Sequence, residues 1–344
     1  FMVTGGAAMH LNDALGNHPD LEYICCHHEQ ACAMAAESYF RLSGKMAAVN
    51  VTAGPGSINA LNGVFGAYVD SMGMIVISGQ AKRETMVRNY DIPLRQLGDQ
   101  EVDIISMVRP ITKYATVLQE PETVKQVMEK AIFLANHGRP GPVWIDVPID
   151  VQAKLINERK LTSFDPLDLG SLLNDDDITE NTKGEFEKFS ISDLDATVGE
   201  ILSKLRYTER PLVFAGAGVR ISGAYDNFLG VIDRMGVPVV TGWNAHDIIP
   251  NDHPQYAGRP GTVGDRAGNF AVQNADFILV LGSRLNIRQV SYNWENFARY
   301  AWIAQVDIDP SELSKPTLKI DLPIHADLND FLKKMNDKLK KHHI

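Results

Sequence analysis

At 344 residues, with 44% apolar and 22% charged side chains, the chain has the size and composition of a globular protein of two domains, each of roughly 150 residues. A formal net charge of -10 argues against a nucleic-acid surface, which needs basic patches to neutralise phosphate. No apolar run reaches the roughly 18 residues of a membrane span, no signal peptide is evident, and Cys25, Cys26 and Cys32 form one cluster with no second cluster to complete a zinc site or disulfide framework.

Those cysteines read as reduced, largely buried thiols of a cytoplasmic protein. Phe1-Met2-Val3-Thr4 reads as the end of a buried strand, so a fragment cut at both ends is expected. Apolar runs at 1–4, 47–52, 74–78 and 143–147 predict strands, alternating with segments of helical period at 8–15, 29–42, 58–69 and 123–136. Such alternation predicts a parallel sheet covered on both faces. From 153 to 192 the pattern gives way to a polar, acidic stretch that includes Asn174-Asp175-Asp176-Asp177, expected as a linker. Beyond it come a helix at 194–205, a strand at 212–215, a helix at 225–235 and strands at 237–241, 277–281 and 302–306. The expected fold class is α/β, with two successive doubly wound parallel-sheet domains at 1–152 and, Rossmann-like, at 193–335.

Two motifs in the first domain carry chemistry. His28-Glu29-Gln30 opens a helix of small residues, and Thr52-Ala53-Gly54-Pro55-Gly56 ends an apolar strand with Asn59 in the following helical turn. A glutamate in a first helical turn is favoured by the helix dipole alone. Here it follows an apolar strand, and its helix face of Ala33, Ala36 and Phe40 is built for close packing. A carboxylate so placed is partly desolvated and able to hold a proton near neutral pH. The Gly-Pro-Gly turn is either a backbone requirement or a ligand edge, since open α/β sheets bind ligands beyond the carboxyl ends of their strands. It lacks a phosphate-loop lysine and is no dinucleotide fingerprint, so a flat ring suits it better. His27 and His28 are consecutive and point in different directions, so at most one joins Glu29; proton transfer and a structural hydrogen bond are both open to it.

Gly5-Gly6-Ala7, His28-Glu29-Gln30, Thr52 to Gly56 with Asn59, Ser78-Gly79-Gln80, Gln100-Glu101, and Gly138 to Val143 followed by Asp146-Val147-Pro148 occur in this order. In that order and spacing the chain resembles the pyrimidine-binding and central domains of thiamine-diphosphate-dependent enzymes of the acetolactate synthase type, over nearly its whole length. The resemblance implies that Glu29 hydrogen-bonds N1′ of the cofactor's aminopyrimidine and so promotes loss of its C2 proton. It implies backbone contacts from Gly5 and Gly6, a pyrimidine pocket bordered by Pro55 and Asn59 with Thr52 beneath, Gln80 and Gln100 near the reacting centre, and His28 beside the glutamate. It further implies a homodimer or homotetramer and Mg2+ held by a Gly-Asp-Gly domain that this sequence lacks. No metal ligand is expected here, and the chain alone is expected to be inactive.

Departures from that type are also legible. Asp99 stands where the synthases place Phe before the Gln-Glu pair, and the 82–98 segment is unlike theirs. In the second domain, Gly216-Ala217-Gly218 after a strand is a weak nucleotide signal. The resemblance raises flavin adenine dinucleotide there, with Gly216, Gly218, Arg284 and Arg288 as contacts, although Arg259-Pro260 and Leu285-Asn286-Ile287 replace the usual residues; the arginines could instead pair with carboxylates. The expected activity is decarboxylation of a 2-oxo acid and transfer of the acyl-anion equivalent to an acceptor. Plain 2-oxo acid decarboxylation, carbon-carbon chemistry on a sugar, and a noncatalytic nucleotide-binding or assembly subunit are the alternatives.

Overall fold

The structure, a computed structural model, describes residues 1–186 and 193–341, which divide into two compact units. In the first, strands β1 (Ala47–Val51), β2 (Met74–Gln80), β3 (Tyr114–Val117) and β4 (Pro142–Pro148) form a sheet in the order β1-β2-β4-β3, parallel throughout. β4 is buried along its whole length, as an apolar strand covered on both faces must be. The predicted strand at 1–4 is an extended segment making isolated bridges: Met2 pairs with Asn50 on one side and Cys25 on the other, both parallel. The sheet therefore gains two further extended segments outside β1, and both run out at the same end as the four strands.

Helices α1 (Met9–Asn17), α2 (Glu29–Ser43), α3 (Pro55–Asp70) and α4 (Val124–Asn136) connect and cover this sheet. His28 caps α2 at its start, and Gly44 ends it in the left-handed conformation. Gly54 enters α3 at φ +59, and a β-carbon there would lie 2.2 Å from the carbonyl oxygen of Gln100, so the turn admits only glycine. The acidic stretch expected as a linker packs on this unit as far as Phe186. Phe133 of α4 lies 5.5 Å from Phe164 and 6.3 Å from Phe186, and Leu172 and Ile178 are buried. Three of its acids meet donors on the unit: Lys113 donates to Glu185 at 2.8 Å, Lys130 to Asp175 at 2.5 Å and Thr116 to Asp177 at 2.5 Å.

The second unit holds β5 (Pro211–Ala215), β6 (Val239–Thr241), β7 (Tyr256–Gly258), β8 (Phe277–Leu281), β9 (Trp302–Asp307) and β10 (Leu322–His325), in the order β10-β9-β8-β5-β6-β7. All pairs are parallel, and β8 is fully buried. The order reverses direction beside β5, which sets a switch point at the carboxyl ends of β5 and β8. Both units are thus parallel-sheet α/β domains. No helix among the described residues is long and apolar enough to cross a membrane.

Candidate active site

The motif residues of the first unit gather where its parallel strands end. Glu29 follows the extended segment around Cys25 and is 9% exposed. Its Oε2 accepts a hydrogen bond from Asn59 Nδ2 at 3.0 Å, and its Oε1 lies over Gly56, where a β-carbon would come within 3.2 Å. A carboxyl group at the head of one helix is thus held by an amide from the first turns of the next, with a bare glycine backbone alongside.

Thr52 builds the wall between this pair and the Gly5–Ala7 loop. Its Oγ1 accepts the Ala7 amide at 3.2 Å and its carbonyl accepts the Ser57 hydroxyl at 2.7 Å. A β-carbon on Gly5 would fall 2.4 Å from Thr52 Cβ. Three residues that the sequence reading passed over fix the same loop. Asn12 donates to the Gly5 carbonyl at 3.4 Å and accepts from buried Asn50 at 2.7 Å, while Gln152 donates to the Ala7 carbonyl at 2.8 Å. The available signal was Asn50, an amide inside the apolar run Ala47 to Val51.

Not every expected residue faces that space. Gln80 is 1% exposed and fully engaged: its Nε2 donates to Asp146 at 2.8 Å and to the Val102 carbonyl at 3.0 Å, and its Oε1 accepts the Ala81 amide. It belongs to an internal network in which Ser78 donates to Asp146 at 2.5 Å and Trp144 donates to Ser78 at 2.8 Å. Burial pushes the Asp146 carboxyl up to about 7, against the pull of its Ser78 and Gln80 donors. His28 is exposed, and its Nδ1 accepts the Gln30 amide at 3.1 Å as the cap of α2. Gln100 is exposed at φ +54, its carbonyl against Gly54, which brings its backbone rather than its amide to the turn. Pro55 is exposed at the first position of α3, and Gly6 is open, with nothing within 4 Å of the place its β-carbon would take. All three thiols are free, but the expected burial holds in full for Cys32 alone: its pKa is raised to about 12 by burial and then by Cys26, whereas Cys26 is half-buried and Cys25 exposed.

In the second unit the switch point is closed by the chain itself. The Gly216 amide donates to Leu281 and the Gly218 amide to Gly282, at 2.9 Å each, and a β-carbon on Gly216 would lie 2.3 Å from the Gly282 carbonyl oxygen. The glycine pair therefore serves loop-to-loop packing and offers no free amide pair to a phosphate. Arg284 approaches Glu312 at 3.9 Å, and Arg288 stands 5.6 Å from the Trp243 ring. A hollow of about 440 Å³ beside Trp243, His246 and Arg259 is separate from the glycine pair. Among the described residues, no group of three or more His, Cys, Asp or Glu side chains could hold a metal ion.

Two parallel α/β units, the first with a carboxyl–amide pair set beside a Gly-Pro-Gly turn, match two family models in order: "Thiamine pyrophosphate enzyme, N-terminal TPP binding domain" over residues 1–107, and "Thiamine pyrophosphate enzyme, central domain" over residues 198–335. The chain belongs to the thiamine pyrophosphate enzymes. Among curated proteins it is similar to the acetolactate synthase large subunit of Lactococcus lactis, with 34% identity over 335 residues that take in 97% of this chain and 53% of the relative. It is likewise similar to the probable acetolactate synthase large subunit of Methanocaldococcus jannaschii, at 33% identity over 97% of this chain and 52% of the relative. For acetolactate synthase isozyme 3 large subunit of Escherichia coli the figures are 31%, 99% and 55%. The chain spans about half the length of these relatives.

Proposed function

We propose that this chain supplies the aminopyrimidine-binding half of the active site in a thiamine-diphosphate-dependent enzyme that decarboxylates a 2-oxo acid and passes the acyl-anion equivalent to an acceptor. The observation that carries the reading is the Glu29–Asn59 pair at the start of α2 and α3, closed by Gly56. A largely buried carboxyl with one oxygen already satisfied presents a single hydrogen-bonding edge, which suits a ring nitrogen better than a solvated cation. Asn59 fixes the plane of that edge, Pro55 and Thr52 border it, and the Gly5–Gly6 backbone lines the adjoining wall.

Thiamine diphosphate, when bound, supplies the electron sink that decarboxylation of a 2-oxo acid requires. Glu29 holds the proton shared with the pyrimidine ring, and the wall of Thr52 and the Gly5–Ala7 loop keeps water from one side of it. Residues that this sequence does not contain would hold the diphosphate and its Mg2+, in agreement with the chain's half-length match. We keep flavin out of this reading, because the Gly216 and Gly218 amides are already bonded. We assign the enzyme to the cytoplasm as a homo-oligomer, a reading supported by unpaired cysteines and by the family.

The test is C2 proton exchange of bound thiamine diphosphate in the intact protein that contains this chain, followed by nuclear magnetic resonance. Glu29→Gln should slow exchange by two orders of magnitude or more, in line with roughly 10²–10⁴-fold for a lost acid–base group. Exchange at the parental rate would remove Glu29 from this role.

A further inference from the structure

The 82–98 segment, the part of the first unit least like the acetolactate synthases, closes over a hollow of about 220 Å³ whose floor is Gln80 and Asp146. The segment is pinned at its base: Arg83 Nε donates to Asp150 at 2.8 Å and its Nη1 to the Gln119 carbonyl at 2.7 Å. At its far end Glu101 collects the amides of Val87, Leu97 and Gly98 at 2.6–3.3 Å, which ties the loop down on both sides. Two further loop cations, Arg88 and Arg95, line the hollow, and among the described residues neither makes a hydrogen bond or an ion pair.

The acids around the hollow are already engaged. Glu101 holds its three amides, Asp103 caps the following helix through the amide and hydroxyl of Ser106, and Asp146 is buried beneath its Ser78 and Gln80 donors. Two guanidinium groups face one small space, Arg88 acting on the buried Asp146 carboxyl through space but neither hydrogen-bonded to these acids, and each can grip a carboxylate or phosphate through two parallel bonds. The volume suits such a group with a few attached atoms and is too small for a nucleotide.

The hollow also adjoins the candidate active site. Gln80 follows Gly79, whose β-carbon would lie 2.1 Å from the Ala7 carbonyl oxygen, and Glu101 follows Gln100, whose own carbonyl rests on Gly54. Each side of the hollow is therefore one residue from a loop of that site.

We propose that Arg88 and Arg95 form a subsite for an anionic group, carboxylate or phosphate, carried by the substrate at the end remote from its reacting carbon. The inference rests on the function proposed above and names its substrate class: a donor or acceptor with a negative charge beyond that of a simple 2-oxo acid. Asp99 agrees with it, since a charged side chain where the synthases place Phe removes part of an apolar pocket.

The experiment uses the intact protein and two probes, succinate and inorganic phosphate, titrated calorimetrically into the parent and into Arg88→Ala, Arg95→Ala and Arg88→Lys. At least one probe should bind the parent, each alanine variant should weaken it roughly tenfold or more, and the lysine variant should retain part of the affinity. The probe that binds distinguishes a carboxylate from a phosphate source. Both arginines are exposed, so unchanged circular dichroism in the variants is expected. With 2-oxoglutarate against pyruvate as donor, a carboxylate site should favour the former in kcat/KM, and the preference should fall in Arg88→Ala. Binding of neither probe, or binding indifferent to both arginines, overturns the subsite. Glu29-dependent C2 exchange reads the cofactor assignment separately: its presence alongside indifferent anion binding removes the subsite alone, and its absence alongside arginine-dependent binding removes the cofactor reading while the anion subsite stands.

Discussion

Asp146→Asn should flatten the dependence of first-unit stability on pH. Asp146 is 1% exposed and accepts from Ser78 at 2.5 Å and Gln80 at 2.8 Å. Burial raises its pKa from 3.8 to about 7 in spite of those donors. Since the folded protein keeps this proton to about pH 7 and the unfolded chain releases it near 3.8, the native state binds more protons across that window. Stability from this group is therefore fully present below 3.8, declines as pH rises through the window, and is level above about 7. At about 1.4 kcal/mol per pH unit, the decline is roughly 4 kcal/mol, an upper figure because internal relaxation softens the burial cost. Trp144, the only tryptophan of the first unit, donates to Ser78 inside this network, so a 5-fluorotryptophan resonance from it reports urea unfolding of that unit alone. Asparagine keeps the Ser78 contact but sets an amide against Gln80 Nε2, which costs about 1–3 kcal/mol at every pH. The parent should therefore exceed the variant by about 1–3 kcal/mol near pH 4.5 and lose roughly 3 kcal/mol relative to it by pH 8, which erases or reverses the difference. Parallel curves from pH 4.5 to 8 would refute both the raised pKa and the account of its cause.

Gly54→Ala should destabilise the first unit by at least about 2 kcal/mol, from the left-handed backbone and the collision with the Gln100 carbonyl, and a change below 0.5 kcal/mol in urea unfolding would contradict the turn described here. Removing the α2 cap in His28→Ala should cost about 1 kcal/mol and leave C2 exchange within a few-fold of the parent. A loss of exchange as large as that of Glu29→Gln would instead place His28 in the chemistry. Lys113→Ala should cost about 3–5 kcal/mol by stranding Glu185 and two carbonyls around a buried ammonium site, measured as loss of the first unit's thermal transition. Flavin adenine dinucleotide added to the intact protein should leave its visible spectrum that of free flavin; a perturbed, protein-bound spectrum would show that the switch-point loops open.

What the sequence made legible follows the range of the forces involved. β2, β4 and β8 are buried along most or all of their lengths, so each appears as an apolar run, whereas β3 has four residues and β7 three, too few for a periodic signal. Within the site, Glu29, Gly54 and Asn59 stand out because a helix start and a turn are local events. Asn50 and Gln152 do not, since their bonds to Asn12 and Ala7 cross 38 and 145 residues of chain, and nothing in a short window marks such a partner. The motif identified Gln80, but its direction is set by Asp146, 66 positions away. The acidic stretch shows the same limit in its electrostatics. Asp175, Asp177 and Glu185 resemble a solvated linker in isolation, yet each meets a donor on the first unit, at Lys130, Thr116 and Lys113 respectively. Charge density alone does not separate a linker from a docked segment, because the distinction lies in whether distant donors are placed to receive it. Where it is the acceptor that is missing, as at the guanidinium groups of Arg88 and Arg95, the same reasoning runs outward from the chain to a ligand.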